Sequence, residues 1–190
     1  LLPDWAFDLL SKIGAGMVAG AALGTIAGPA GTIAGAIIGG ISGALWSQWS
    51  KLTAWFDKNS ISHKSRALET GDYTAMLDGV TFEDEVVVER KANLDEIAGN
   101  FTVGRERFER EMIRAKANGT KVFLIVENAS WSDIFLHNYR SDLKPQSFAA
   151  TLLSWQARFN ITITFCKPSE TPQILYSTLY YWVRNRLKRG

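Results

Sequence analysis

Acidic and basic side chains are concentrated at the end of one strongly apolar run. Residues 86–88 are consecutive valines, typical of a buried β-strand, and Glu89, Arg90 and Lys91 follow directly. Because alternate side chains of a strand share a face, Glu89 and Lys91 are predicted to point together and Arg90 away from them. A carboxylate and an ammonium at a buried strand end are costly unless they serve a function. This strand end is therefore a candidate catalytic site.

A second carboxylate belongs to Asp72, where Gly71-Asp72 ends another strand-like run. We expect it to lie beside Glu89. Two hard carboxylate ligands suit Mg²⁺ or Mn²⁺, which activates water and neutralises charge on a phosphate. Lys91 is then placed to orient the attacking water or to stabilise that charge. The combination predicts a metal-dependent nuclease.

Two further residues are predicted to support this site. Arg90, on the opposite strand face, is expected to tie neighbouring elements together or to reach a phosphate oxygen. Asp95 falls in the first turn of a predicted helix, where the helix dipole favours an acid. Asn93 and Glu96 have the spacing of a capping box at the start of that helix.

The elements that must position these residues alternate between strand and helix patterns, which predicts an α/β domain. Strands are predicted at 61–68, 85–91, 121–126 and 161–165. Helices are predicted at 51–58, from Asn93, and at 104–117, 146–158 and 171–188. The segments between Tyr73 and residue 85 and over 128–144 are predicted to be loops.

The N-terminal region has a different character, because residues 13–46 carry no charge. Its glycines recur every four residues in two series, 16–28 and 31–43, separated by Pro29. This spacing predicts an all-α hairpin of two glycine-zipper helices. We therefore expect two domains, the hairpin over 1–50 and a catalytic domain over 51–190.

A membrane is one candidate partner for residues 13–46. Each arm of the hairpin, at about 1.5 Å per residue, is shorter than a hydrocarbon core of about 30 Å. The basic residues that follow, such as Lys51 and Lys58, would place both ends of the hairpin on the cytoplasmic side. The alternatives are a soluble Ala/Gly helix pair packed on the domain and an oligomeric assembly stalk.

The overall charge excludes little, since a net charge of +2 over 190 residues does not by itself indicate nucleic-acid binding. The single cysteine, Cys166, excludes an internal disulfide and fits a reducing compartment. We expect it to be a small buried residue at a strand end.

The spacing of these residues resembles one known motif. Gly71-Asp72, Glu89-Arg90-Lys91 and Asp95 match the GDx(n)ERKxxxD pattern of XPF-type nuclease domains, in the restriction-endonuclease-like PD-(D/E)xK superfamily. The resemblance covers about residues 51–188, and the order of elements looks like compact versions of the domain that are common in phage and prophage genomes. It implies a mixed central sheet flanked by helices, Asp72 and Glu89 as metal ligands, Lys91 as a catalytic residue, and Arg90 and Asp95 as essential support.

The chain departs from this family pattern in two places. Relatives usually begin with a strand that carries an acid in a V-D-x-R-E pattern, whereas here the glycine zipper occupies that position and Ser50-Lys51 is no substitute. The first strand and one acidic group are therefore expected to be missing. No tandem helix–hairpin–helix module is expected after the nuclease domain, so that domain itself must hold DNA.

Two basic clusters are candidate DNA contacts. Arg105 and Arg107 lie in the predicted helix 104–117, with Arg107 favoured by the resemblance. Arg184 and Arg186 lie near the end of the last helix. The alternative for the first cluster is ordinary helix ion pairing with the interleaved Glu106, Glu109 and Glu111, and for the second a solubilising tail.

The leading functional hypothesis is a metal-dependent DNA endonuclease selective for branched or flap DNA, as the resemblance implies. The alternative is a catalytically impaired DNA-binding or scaffold subunit, since the family contains inactive partners. A homodimer or heterodimer through the nuclease domain is a further expectation. A cytoplasmic nuclease domain tethered to a membrane by its hairpin is compatible with either function.

Overall fold

The structure is a computed structural model that describes residues 33–38, 46–65 and 68–189. Seven strands of the described chain form one sheet, and six helices accompany it. The strands are β1 (Ile33–Ile38), β2 (Ser62–Ser65), β3 (Tyr73–Leu77), β4 (Val80–Thr81), β5 (Val86–Lys91), β6 (Lys121–Glu127) and β7 (Thr162–Cys166). The helices are α1 (Trp46–Lys58), α2 (Leu94–Phe101), α3 (Arg105–Asn118), α4 (Trp131–Phe135), α5 (Pro145–Phe159) and α6 (Thr171–Arg189).

The sheet is mixed and runs in the order β2-β1-β3-β5-β6-β7, with β4 paired to β3. β3 is antiparallel to both β1 and β5, whereas β5, β6 and β7 are mutually parallel neighbours. A mixed central sheet flanked by helices confirms the predicted α/β, restriction-endonuclease-like fold class. Four predicted helices, including the one that buries Phe108 and Met112, are also confirmed, with ends that differ by one or two residues.

Two apolar cores lie on opposite faces of the sheet, and β5 contributes to both. Val87 packs with residues of α2, α3 and α5, where the Phe101 and Trp155 ring centroids are 4.9 Å apart. Val86 and Val88 pack with residues of α1 and α6. All three valines are completely buried, so the apolar run predicted to be a buried strand is covered on both sides, as an internal strand of a layered α/β sheet should be.

The helical glycine-zipper prediction is wrong for residues 33–38, which form β1 between β2 and β3. A four-residue spacing marks a helix stripe, but it is also a multiple of the strand period of two, so it places glycines on one face of a strand equally well. Gly35 lies where the pairing register shifts by one residue, between Ala34 and Ile37, and a glycine inside a strand often marks such a bulge. The prediction that the first strand is missing is therefore also wrong, although β1 carries no acidic residue.

A β-hairpin replaces the loop predicted after Tyr73. β3 and β4 are antiparallel and joined at Asp78 and Gly79, with φ angles of 53° and 81°. Positive φ at both positions of a two-residue connection is typical of a type I′ turn, for which Asp-Gly is a favoured sequence. Consequently Asp72 precedes a strand rather than ending one, and within the preceding predicted strand, 61–68, Ser62–Ser65 form β2.

Of the predicted hairpin over 1–50, residues 46–50 form the start of α1, whereas 1–32 and 39–45 lie outside the described residues, and the membrane prediction rests mainly on those. Within the described ranges, no helix combines the length and apolar character needed to cross a membrane. Cys166 is buried at the end of β7, as predicted.

Candidate active site

The end of β5 holds three charged side chains that are almost completely buried. Glu89, Arg90 and Lys91 are 6%, 5% and 8% exposed. β5 stays paired with β6 to its last residue, with Lys91 opposite Val126. The strand pleat then sends Arg90 to one face of the sheet and Glu89 and Lys91 to the other, as the sequence predicts. The cost of burying these charges is reduced only where each finds a partner.

Asp72 is fixed beside this strand end by two hydrogen bonds to the β5 backbone. Its N–H donates to the carbonyl oxygen of Val88 at 2.9 Å, and its carboxylate accepts from the N–H of Arg90 at 2.8 Å. These bonds continue the antiparallel pairing of Tyr73 with Val88. The structure therefore brings Asp72 next to Glu89, although the two residues are separated by a complete hairpin in sequence.

Gly71 makes this approach possible. Its φ is +71°, and an added Cβ would lie 2.8 Å from the Cβ of Val87. Both the left-handed backbone and the lack of space favour glycine at this position. The Gly71 N–H donates to Oε1 of Glu111 at 3.2 Å. Sequence reasoning assigned Glu111 to ordinary helix ion pairing, and only the three-dimensional contact between α3 and this loop reveals its place.

Lys91 is the counterion of Glu89. Its Nζ lies 2.6 Å from Oε1 of Glu89 and 3.8 Å from Oε1 of Glu96, over the ring of Phe108 at 5.2 Å from the ring centroid. Glu96 also accepts from the N–H of Ala92 at 2.7 Å. The predicted capping residue therefore also contributes negative charge to the site.

Burial and mutual repulsion perturb both acids. Burial, and then the charge of Asp72, raise the pKa of Glu89 to about 8. Burial is also the main cause that raises the pKa of Asp72, against the lowering effect of its hydrogen bond from Arg90. Two adjacent acids with raised pKa values retain protons or attract a cation.

Lys91 stays charged in this setting. Burial alone would lower its pKa, but the charges of Glu89 and Asp72 outweigh burial and raise the pKa of Lys91. A lysine held as an ammonium cannot accept a proton, so it is suited to neutralising or positioning negative charge.

Arg90 makes a buried bidentate ion pair on the opposite face of the sheet. Its Nε and Nη2 lie 2.8 and 2.5 Å from the two carboxylate oxygens of Glu127. The Thr171 hydroxyl donates to the same carboxylate at 2.6 Å. Arg90 therefore ties β5 to β6 and to the start of α6, which is the first of its two predicted roles, and it does not face the Asp72–Glu89 pair.

Asp95 braces a loop and does not contact Glu89 or Asp72. Its carboxylate accepts from the N–H and Nε of Arg140, at 2.7 and 3.0 Å, and from the N–H of Ser141 at 3.0 Å. Partial burial acts to raise its pKa, but these hydrogen bonds outweigh it and lower the pKa of Asp95. The last acid of the motif thus fixes the segment that follows α4.

The predicted DNA-contacting arginines lie on two different helices, α3 and α6. On α3, Arg105 lies 3.8 Å from Glu109, whereas Arg107 is exposed and forms no ion pair with the described residues. Arg186 pairs with Glu85, just before β5 begins and therefore at the opposite end of that strand from Lys91. Arg184 lies half-buried beside Tyr181 on the same last part of α6. The structure does not bring these two α6 arginines to the candidate site.

The donor set suits a hard divalent cation. Within the described residues, no group of three or more His, Cys, Asp or Glu side chains is arranged to hold a metal. Mg²⁺, however, commonly uses one or two carboxylates and completes its shell with water and substrate phosphate. Asp72 and Glu89 offer that set, and burial raises the pKa of both, so a bound cation would offset the cost of ionising them.

Comparison with known proteins places this arrangement in a family. The ERCC4 domain pattern matches residues 45–178, a range that contains all the motif residues. Among curated proteins none matches significantly. The solved structure of XPF from Aeropyrum pernix is similar, with a TM-score of 0.57, 19% identity and coverage of 78% of this chain and 65% of that one. XPF from Aeropyrum pernix in complex with DNA gives a TM-score of 0.56 and 18% identity, over 79% and 65% of the two chains. The chain thus spans slightly less than two thirds of the length of these structures.

Proposed function

Because the chain belongs to the ERCC4 domain family, we propose that it is a divalent-metal-dependent DNA endonuclease that hydrolyses phosphodiester bonds, with a preference for branched or flap DNA. The observation that carries this proposal is the pairing of Asp72 with Glu89 at the end of β5, with Lys91 on the face of Glu89. Two acids that repel each other and one fixed ammonium suit a reaction in which a cation and a phosphate enter together.

Asp72 and Glu89 would hold Mg²⁺ or Mn²⁺, which supplies an activated water and neutralises charge on the phosphate. Asp72 is oriented for this by the Arg90 N–H, and Glu89 by its place in a fully paired strand. Lys91 remains an ammonium and stabilises negative charge that develops during hydrolysis. Arg90 and Asp95 support the site from outside it, through Glu127 and Arg140 respectively.

The test is cleavage of fork and flap DNA in Mg²⁺ or Mn²⁺ by the intact chain and by Glu89→Ala and Lys91→Ala. We expect each substitution to reduce cleavage by about 10²–10³-fold, as for removal of one stabilising group from a preorganised site. Glu85→Gln is the matched control, because Glu85 adjoins the other end of β5 and pairs with Arg186. Cleavage that survives both alanine substitutions, or that needs no divalent cation, would exclude the proposal.

DNA is held, in this proposal, by the exposed face of α3 with Arg107 as its main contact. Arg107 is the more accessible candidate because Arg105 is engaged with Glu109. Arg107→Gln should weaken DNA binding and reduce its salt dependence by about one unit of slope, whereas Arg186→Gln should change neither. Equal effects of both substitutions would place the DNA-binding surface elsewhere.

The second candidate function is a catalytically impaired DNA-binding or scaffold subunit. It is favoured by the lack of any acidic residue in β1, where relatives usually carry one. DNA binding without metal and without cleavage of any branched substrate would support this function. Dimerisation through the nuclease domain remains a prediction for either function, and sedimentation of the intact chain tests it.

A further inference from the structure

Glu111 differs from the other acids of α3. Glu106 pairs with Arg110 at 3.6 Å, and Glu109 pairs with Arg105 and with Arg158. Glu111 forms no ion pair with the described residues. Its Oε1 instead accepts the N–H of Gly71, which is 40 residues earlier in the chain.

The peptide that Glu111 holds is the one that aims Asp72. Gly71 has a left-handed backbone and lies against Val87 with no room for a side chain. The next residue, Asp72, forms two hydrogen bonds to β5: its N–H donates to the Val88 carbonyl, and its carboxylate accepts from the Arg90 N–H. The Gly71 N–H therefore fixes this turn immediately before Asp72, and its acceptor comes from α3.

Glu111 also contributes negative charge to the same place. Its Oε1 lies 3.2 Å from the Gly71 nitrogen, so a carboxylate is held one residue away from Asp72. A carboxylate that anchors the backbone beside a metal ligand favours binding of a divalent cation there, as groups that orient metal ligands do.

We propose that Glu111 is a positioning residue of this site: through the Gly71 N–H it holds Asp72 against β5, and its charge increases the affinity of the site for a divalent cation. The proposal rests on the proposed function for its catalytic meaning. The residue lies outside the GDx(n)ERKxxxD motif, so the motif alone does not assign it.

The experiment compares Glu111→Ala, Glu111→Gln and the control Glu106→Gln in the intact chain. Glutamine keeps an oxygen acceptor for Gly71 but removes the charge, whereas alanine removes both. Glu106 is on the same helix, is exposed and pairs with Arg110. The readouts are amide hydrogen exchange of Gly71 in the metal-free protein, Mn²⁺ affinity by calorimetry, and kcat and KM on flap DNA.

In Glu111→Ala we expect faster exchange at Gly71 by about tenfold or more, with unchanged exchange at Met112, and Mn²⁺ affinity reduced by about 10–100-fold. Glu111→Gln should restore exchange protection at Gly71 but only part of the Mn²⁺ affinity, and kcat should fall more than KM rises. Glu106→Gln should match the unmodified chain.

Unaccelerated exchange at Gly71 in Glu111→Ala would overturn the proposal. If alanine prevents folding, Mn²⁺ affinity in Glu111→Gln equal to that in Glu106→Gln would overturn it instead. Failure of the proposed function gives a different result: the unmodified chain would then cleave no DNA. Exchange at Gly71 would still report whether Glu111 holds the turn.

Discussion

Neighbouring residues of β5 serve two faces of the sheet that differ in chemistry. Glu89 and Lys91 meet Asp72 in a group of two acids and one ammonium, whose net negative charge favours the entry of a further cation. Arg90, between them in sequence, lies on the other face of the sheet. There it is hydrogen-bonded to Glu127, which also accepts from Thr171. The first face is suited to binding, and the second to holding three elements together.

Removing one partner of the buried Arg90–Glu127 pair should destabilise the fold strongly, whereas replacing both partners with apolar residues should destabilise it little. Arg90→Met leaves the Glu127 carboxylate uncompensated and should lower the unfolding free energy by about 3–5 kcal/mol. Arg90→Met combined with Glu127→Met should recover most of that loss, because no charge then remains buried. Urea unfolding of both variants measures this, and a double variant no more stable than the single one would contradict it.

Glu89 should make the metal-free chain less stable as the pH rises. Its pKa rises from an ordinary 4.5 to about 8 on folding, so the folded chain holds this proton more tightly than the unfolded chain. The resulting stabilisation is complete below about pH 4.5 and is lost as the pH passes about 8. At roughly 1.4 kcal/mol per pKa unit, the loss amounts to a few kcal/mol.

Urea unfolding in a chelating buffer between about pH 5 and pH 8 measures this slope. Glu89→Gln should flatten it, since glutamine does not titrate. Identical slopes in the two proteins would show that another group is responsible.

At the scale of elements, the sequence predicts best where local signals agree. The valine run before Glu89, the Asn93 cap and the left-handed Gly119 that ends α3 each act locally, and the elements they bound were predicted. β3 was missed because all five of its residues are buried, so it shows no alternation of polar and apolar residues. Its Asp78-Gly79 turn was the available signal.

The candidate site was only partly predictable, for a related reason. The motif spacing indicates Asp72, Glu89 and Lys91, and the structure places these three together. Glu111 joins them through a contact between α3 and the Gly71 turn, and no local pattern distinguishes it from Glu106 or Glu109. Asp95 is likewise not predictable from the motif, because its long-range hydrogen bonds are to Arg140 and Ser141 and not to the site residues.

Asp95 should control the order of the segment after α4. In Asp95→Ala the N–H groups of Arg140 and Ser141 lose their acceptor. We expect their amide exchange to accelerate and the unfolding free energy to fall by about 0.5–1.5 kcal/mol, since water can replace the lost acceptor at this exposed contact. Hydrogen exchange measures this effect, with Ala115 in α3 as an internal reference. Unchanged exchange at both amides would contradict the assigned role.

The sheet includes β1, a strand from the N-terminal region that the sequence predicted to be a separate helical domain. β1 lies between β2 and β3, so a chain that begins at residue 46 should leave a β3 edge unpaired. We expect such a chain to unfold at lower urea and to self-associate, because an open strand edge pairs with other chains. A chain that begins at residue 31 is the control, and urea unfolding with light scattering measures both. Equal behaviour would show that β1 is dispensable.

The position of β1 also constrains the order of events during synthesis. Its backbone leaves the ribosome before β2 or β3 exists, so its N–H and C=O groups must remain hydrated until the later strands emerge. Pairing of β1 with β3 then closes a long loop, a step that is slow because chain entropy opposes it. β1 is thus synthesised before either strand that pairs with it, and its edges stay open to other chains until β2 and β3 have emerged.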